Sequence, residues 1–219
     1  TYSLVHDDLP CMDDDDFRRG RATNHKVFGA GMATLAGDAL LTHSFLLLAQ
    51  NAQERGLSSR QTAELIGAVA AGAGTEGMIG GQAVDIISEG RKPNAKLLEY
   101  LHAHKTAALI RASLTAGAVL CGASARQKKM LADYGEKIGL AFQIADDILN
   151  VEGDAGKMGK STGSDAKKKK ITYPSLYGAA KSKKIAEKLI NEAKARVSIF
   201  GHSAGHLADI ADFIIRRQS

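Results

Sequence analysis

Asp7-Asp8-Leu9-Pro10-Cys11-Met12-Asp13-Asp14-Asp15-Asp16, followed closely by Arg18, Arg19 and Arg21, is the stretch on which the reading of this chain turns. The apolar positions before it, Tyr2, Leu4 and Val5, read as a helix that Pro10 ends. Acids at the C-terminal end of a helix face the negative pole of its dipole, and so many together repel one another. Folding gains nothing from that placement, so bound cations are expected to offset it. Mg²⁺ typically uses one or two carboxylates and leaves the rest of its sphere to water and phosphate. The arginines downstream suit that phosphate, because a guanidinium grips it in bidentate fashion. A solvated acidic loop is the alternative for a lone aspartate run. It loses ground here because a second pair, Asp146-Asp147, again lies late in an apolar helix.

Working outward, 219 residues suffice for one sizeable core, and no composition shift marks a linker, so residues 1–219 are expected to form one domain. Ala, Leu and Gly are plentiful, aromatics are scarce and there are three prolines, which favours helix over sheet. Cys11 and Cys121 match no metal-ligand spacing, and a reduced, cytoplasmic setting is the simpler expectation. The net charge of +5 is not interleaved with aromatics, so nucleic acid is not expected as a partner. No apolar run reads as long enough to span a membrane, and no signal-peptide pattern opens the chain. Thr1 to His6 starts inside what reads as a buried helix without an N-cap or an initiating Met, so further residues are expected upstream.

Helical spacing recurs along the rest of the chain. Met32, Leu35, Ala36, Ala39, Leu40, His43 and Leu47 mark a helix over roughly 30 to 54, with Asp38 as a structural acid near its apolar face. Ser58 or Ser59 should cap the next, which is expected to run on through the glycines at 72, 74, 77, 80 and 81. That many glycines point to close helix approach or a ligand against backbone. Gln82 and Asp85 share one helical face, and a surface pair is the plainer reading. Asn94 should cap a long helix to about Gly122 that carries His104-Lys105-Thr106, and another runs from about Arg126 to Asn150. Gly153 to Thr172 reads as a long loop, Pro174 restarts helix, and two amphipathic helices close the chain. With no strand-like alternation, the fold class is all-α, a bundle of about eight helices around a central cavity.

Two acidic helix ends in one bundle are most simply satisfied by facing one cavity, with metal ions bridging them through a diphosphate. The residues that fit this scheme resemble the short-chain trans-isoprenyl diphosphate synthases. Asp7, Asp8 and Asp13 with Arg18-Arg19-Gly20 match the first aspartate-rich motif. Gly81-Gln82 with Asp85, His104-Lys105-Thr106, Phe142-Gln143 with Asp146-Asp147, and Gly159-Lys160 ahead of Thr172-Tyr173-Pro174 match further positions in order. The resemblance covers essentially the whole chain.

It implies the isoprenoid synthase fold and Mg²⁺-dependent head-to-tail condensation of an allylic diphosphate with isopentenyl diphosphate. Three Mg²⁺ are expected, with Mn²⁺ as a substitute, in a homodimer. Asp7, Asp13 and Asp146 would be direct metal ligands, and Asp8, Asp85 and Asp147 would hold coordinated waters. Arg18, Lys105 and Lys160 would hold the allylic diphosphate. Arg19 would take isopentenyl diphosphate, with Phe142, Gln143 and Gln82 lining the substrate site, and Thr106 would sit near the developing cation. Lys170 would close the mouth. Tyr2, five residues before Asp7, and Ser3 would set chain length, a ring at Tyr2 stopping growth at farnesyl diphosphate. Geranylgeranyl diphosphate is the alternative product, and a non-catalytic partner subunit a more distant one.

Two departures from the family pattern stand out: Asn150 replaces a frequent Asp, and the upstream Gly-Lys-x-x-Arg and His that help bind isopentenyl diphosphate are absent from these residues. A protein of these residues alone is therefore expected to be a poor catalyst. A terpene cyclase would carry a different second metal motif, and a calcium loop would need the alternating ligands, central Gly and terminal Glu that the Asp run lacks.

Overall fold

The computed structural model describes residues 1–92, 94–152 and 170–217. The expected all-α bundle forms, from α1 (Tyr2–Asp7), α2 (Asn24–Phe28), α3 (Ala30–Glu54), α4 (Ser59–Ala73), α5 (Met78–Ser88) and α6 (Ala95–Leu101). A π-helical segment, His102–Ala107, joins α6 to α7 (Ala108–Leu120). Then come α8 (Ala125–Glu152), α9 (Tyr173–Tyr177), α10 (Ala179–Val197), a 3₁₀ segment (Ser198–Ala204) and α11 (Gly205–Arg216). Local chemistry sets several of these boundaries. Ser58 and Gln61 form a capping box ahead of α4, Asn94 accepts from the Lys96 and Leu97 amides, and Thr172 caps α9 with Pro174 in its first turn.

The long helix α8 is the axis of the molecule. Its Tyr134, Ile138, Ala141 and Ala145 pack on Ile190, Ala193 and Val197 of α10 and on Ala211 and Ile214 of α11. The Tyr134 hydroxyl donates to the Leu207 carbonyl at 2.6 Å, which satisfies an otherwise buried polar group. Further along, Ile144 and Ile148 meet Leu98, Ile171, Tyr173 and Ala186. Both layers fix the end of α8 that carries Asp146 and Asp147.

Four sequence expectations need correction. The glycine-rich stretch is not continuous helix: α4 ends at Ala73 and α5 begins at Met78. A short hairpin does form, Phe17–Arg18 against Arg21–Ala22, because Arg19 and Gly20 both take positive φ and turn the chain within two residues. α1 is only half-buried, packed on α3. The apolar positions of α3 are largely uncovered, with Met32, Leu35, Leu40 and Leu47 all exposed, and Asp38 is exposed 3.6 Å from His6 Nε2. By length and composition α3 could cross a membrane, with a mean hydropathy of 1.4 over its most apolar window. It packs on α1, α2 and α4, and is here a bundle helix with an open face.

Close helix approach, the expectation raised by the glycines, occurs at Gly81. A Cβ there would fall 2.2 Å from the Lys105 backbone nitrogen, so only glycine lets α5 press onto the π-helical segment. Gly139 does the same from α8, where a Cβ would lie 2.5 Å from Ala107 Cα. The segment carrying Lys105 and Thr106 is thus clamped from two sides.

Candidate active site

A single cavity of about 1010 Å³ is lined by Asp7 and Asp13 from the first acidic stretch, by Asp146 and Asp147 from the second, and by Asp85, Lys105 and Lys170. Asp7 and Asp13 come together because the Asp13 amide donates to the Asp7 carbonyl at 2.8 Å, folding the intervening loop back on the end of α1. Gln82 Nε2 donates to Asp7 Oδ1 at 3.1 Å, so the expectation of a surface Gln82/Asp85 pair is overturned. Both side chains line the cavity.

Five charges interlock across the mouth through four contacts. Lys105 Nζ lies 2.6 Å from Asp85 and 4.0 Å from Asp7, and Lys170 Nζ lies 2.9 Å from Asp13 and 3.5 Å from Asp85. Burial would raise the Asp85 carboxyl, but Lys105 and Lys170 hold it below its ordinary value. Burial would likewise lower Lys105, and Asp7 and Asp85 hold it above. Asp7 is the exception: burial, helped by the neighbouring Asp13, pushes its carboxyl up despite Lys105. The fold leaves its charge undercompensated.

Arg18 stands at the edge of the cavity. It forks onto buried Asp8, Nε at 2.8 and 2.9 Å and Nη2 at 2.6 Å, while lining the cavity edge beside Arg19. Asp8 is therefore held by a protein cation. Asp14 takes a left-handed φ of 52° and points its exposed side chain toward His25, and it does not line the cavity.

On the facing wall, Thr106 Oγ1 donates to Gln143 Oε1 at 2.7 Å, and Gln143 Nε2 donates to Asp147 Oδ1 at 3.1 Å. The Tyr173 amide donates to Asp147 Oδ2 at 2.9 Å, and His102 Nε2 lies 3.4 Å from the same oxygen. Burial drives the His102 pKa down to about 3, so the ring is neutral. Asp146 accepts from Arg217 Nη2 at 3.3 Å, and the Arg217 guanidinium stacks on the Phe142 ring at 3.9 Å. Sequence reasoning missed His102, Arg217 and the cavity-lining role of Asn150. Nothing in an isolated histidine or a near-terminal arginine announces them. Lys160 lies outside the described residues.

Ser3 and Leu4 line the cavity and Tyr2 does not. Ser3 is one helical turn before Asp7 and shares its face, whereas Tyr2 packs edge-on against His6, itself bonded to the Thr34 carbonyl of α3. The Tyr2 ring thus lies beside His6, next to Ser3 on the cavity wall.

Among the described residues no three His, Cys, Asp or Glu side chains converge into a metal site by themselves. Carboxylates standing on separate parts of one cavity suit Mg²⁺, which completes its sphere with water and a phosphate-bearing ligand. The residues therefore fit the metal that the sequence pattern implies.

Comparison with known proteins is consistent with this geometry. The family model for polyprenyl synthetase matches residues 1–201. The chain belongs to the polyprenyl synthetase family. It is 45% identical over 217 residues to the farnesyl diphosphate synthase of Geobacillus stearothermophilus, covering 99% of this chain and 73% of that one. It is 43% identical over 220 residues to the geranylgeranyl diphosphate synthase of Cyanophora paradoxa, covering 100% of this chain and 73% of that one. A Helicobacter pylori geranyltransferase, crystallised with magnesium and isoprenyl diphosphate, superposes with a TM-score of 0.82 at 38% identity, over 98% of this chain and 69% of that one. As a polyprenyl synthetase the chain is a prenyltransferase with the all-α isoprenoid synthase fold.

Proposed function

We propose that the protein condenses an allylic diphosphate, dimethylallyl or geranyl, with isopentenyl diphosphate to give farnesyl diphosphate and diphosphate. The observation that carries this reading is the one cavity shared by two acidic helix ends with lysines set between them. Asp7, Asp13 and Asp146 would hold Mg²⁺, with Mn²⁺ as a substitute, at a stoichiometry of three. Bound there, the ions would neutralise the charge that builds on the diphosphate as the allylic C–O bond breaks.

The chain's own residues do the rest. Lys105, Lys170 and Arg19 bring fixed positive charge to the mouth, where it counts for more as negative charge builds on the leaving oxygens. Leu109, Ile110, Phe142 and Ile214 line the same cavity and keep water from the allylic cation. The isopentenyl double bond then attacks that cation, a C–C bond forms, and the proton released goes to the departed diphosphate. The second reading is geranylgeranyl diphosphate as product, from a channel that runs deeper past Tyr2 and Ser3. The open apolar face of α3 supports a homodimer, and exposed, unpaired Cys11 and Cys121 support a reducing, cytoplasmic setting.

The test is product analysis of the full-length protein given Mg²⁺, isopentenyl diphosphate and each allylic starter in turn. A fifteen-carbon product supports the first reading and a twenty-carbon one the second. No elongated product with any starter contradicts both.

A further inference from the structure

Asp147 is the least metal-like of the cavity carboxylates. Its side chain is 4% exposed, against 20% for Asp7 and 30% for Asp146. One oxygen takes the Tyr173 amide and stands beside His102, and the other takes the Gln143 amide nitrogen. A carboxylate only accepts, so Gln143 must present its NH₂ group to Asp147. That choice fixes the other end of the amide: the Gln143 carbonyl oxygen points at Thr106, whose hydroxyl donates to it. The chain of bonds thus has one polarity, running from a full negative charge through an amide to a hydroxyl.

Where that polarity ends matters, on the prenyl-transfer reading on which this inference rests. Thr106 and Gln143 line the cavity between the charged mouth and the apolar positions Leu109 and Ile110, within one turn of Thr106. A carbon leaving a diphosphate held at the mouth and carrying an apolar chain downward has to sit at that boundary. Oxygen lone pairs on Gln143 and Thr106 stabilise a cation there, while an amide turned the other way would direct N–H groups toward it. The first acidic pair has the same division of labour, with Asp7 facing the cavity and Asp8 gripped by Arg18.

We propose that Asp147 is a positioning residue: it locks the Gln143 amide with its oxygen toward Thr106 and the reacting carbon, instead of holding a metal-bound water. The test compares the full-length wild type with Asp147→Asn, Gln143→Leu and the double variant. Steady-state kinetics are measured together with calorimetric binding of Mg²⁺ and inorganic diphosphate. Asp147→Asn is expected to lower kcat about a hundredfold, because an Asn can accept or donate and frees the amide to turn. KM for both diphosphates and Mg²⁺–diphosphate affinity should stay within about threefold. In the Gln143→Leu background the same change should cost less than about twofold, since the lock then has nothing to hold.

An affinity for Mg²⁺ and diphosphate weakened tenfold or more in Asp147→Asn, or effects of the two single variants that multiply, overturns the inference. Thermal unfolding checks each fold. If Asp147→Asn does not fold, Gln143→Met takes its place: loss of kcat with unchanged Mg²⁺–diphosphate binding supports the inference, and loss of binding overturns it. A wild type that makes no prenyl product contradicts the functional reading itself, whereas an active wild type with multiplying effects contradicts only the role of Asp147.

Discussion

Asp7 and Asp14 belong to one aspartate run, yet the fold gives them opposite roles. Asp7 lines the cavity with its charge undercompensated, and Asp14 turns outward at positive φ. Asp7→Asn is expected to cut kcat by about a thousandfold, on the scale of losing a key electrostatic group, while Asp14→Asn stays within about twofold of wild type. Because the folded Asp7 pKa is raised, any stability it contributes is present below 3.8 and lost as pH rises through the raised value. In chelator at pH 7, Asp7→Asn should therefore show a higher urea midpoint than wild type, and a lower one contradicts the assignment.

Asp85 has the opposite sign. Its folded pKa is depressed, so its stabilising effect is full above 3.8 and disappears as pH falls through the lower folded value. Urea titrations should show Asp85→Asn weaker than wild type by about 2 kcal/mol at neutral pH, less than for a fully buried pair because Asp7 still stands 4.0 Å from Lys105. That gap should narrow below pH 3.8. At the channel end, Ser3→Phe is expected to shorten the product by five carbons, read by chromatography of the dephosphorylated alcohols.

Among the elements, the π-helical segment does the positioning. His102, Lys105 and Thr106 of the segment His102–Ala107 all line the cavity, with Leu101 before it and Leu109 after it on the same wall. Gly81→Ala tests the clamp on it. Pushing the Lys105 backbone away should cost about 3 kcal/mol and lower Tm by about 6–12 °C, with activity falling alongside. Helix limits were legible where a side chain announces them, as at Ser58, Asn94 and Pro174. The π-helical segment was not, because it differs from α-helix by one extra residue per turn and leaves the apolar pattern almost unchanged. The break at Gly74–Gly77 was missed because glycine serves both as packing surface and as terminator.

Taken whole, the molecule brings together what the sequence holds 139 residues apart, Asp7 and Asp146. Motif order and residue type were enough to name the carboxylates, Lys105 and Thr106. They could not say what holds the second member of each Asp-Asp pair, since partners such as Arg18 for Asp8 and Gln143 and Tyr173 for Asp147 are supplied only by packing. Nor could helical periodicity distinguish a core-facing side of α3 from one left open, because both look apolar. Sedimentation velocity on the full-length protein should give twice the protomer mass, and a single protomer at micromolar concentration contradicts the homodimer.

The central claim is that both acidic helix ends grip one diphosphate through shared cations. Its most direct test is anomalous diffraction from crystals of the full-length protein grown with Mn²⁺ and inorganic diphosphate. Peaks within about 2.5 Å of carboxylate oxygens of Asp7 and Asp13 on one wall and Asp146 on the other, around a single diphosphate, are the expected result. Manganese confined to one wall, or a diphosphate bound outside the cavity, would contradict it.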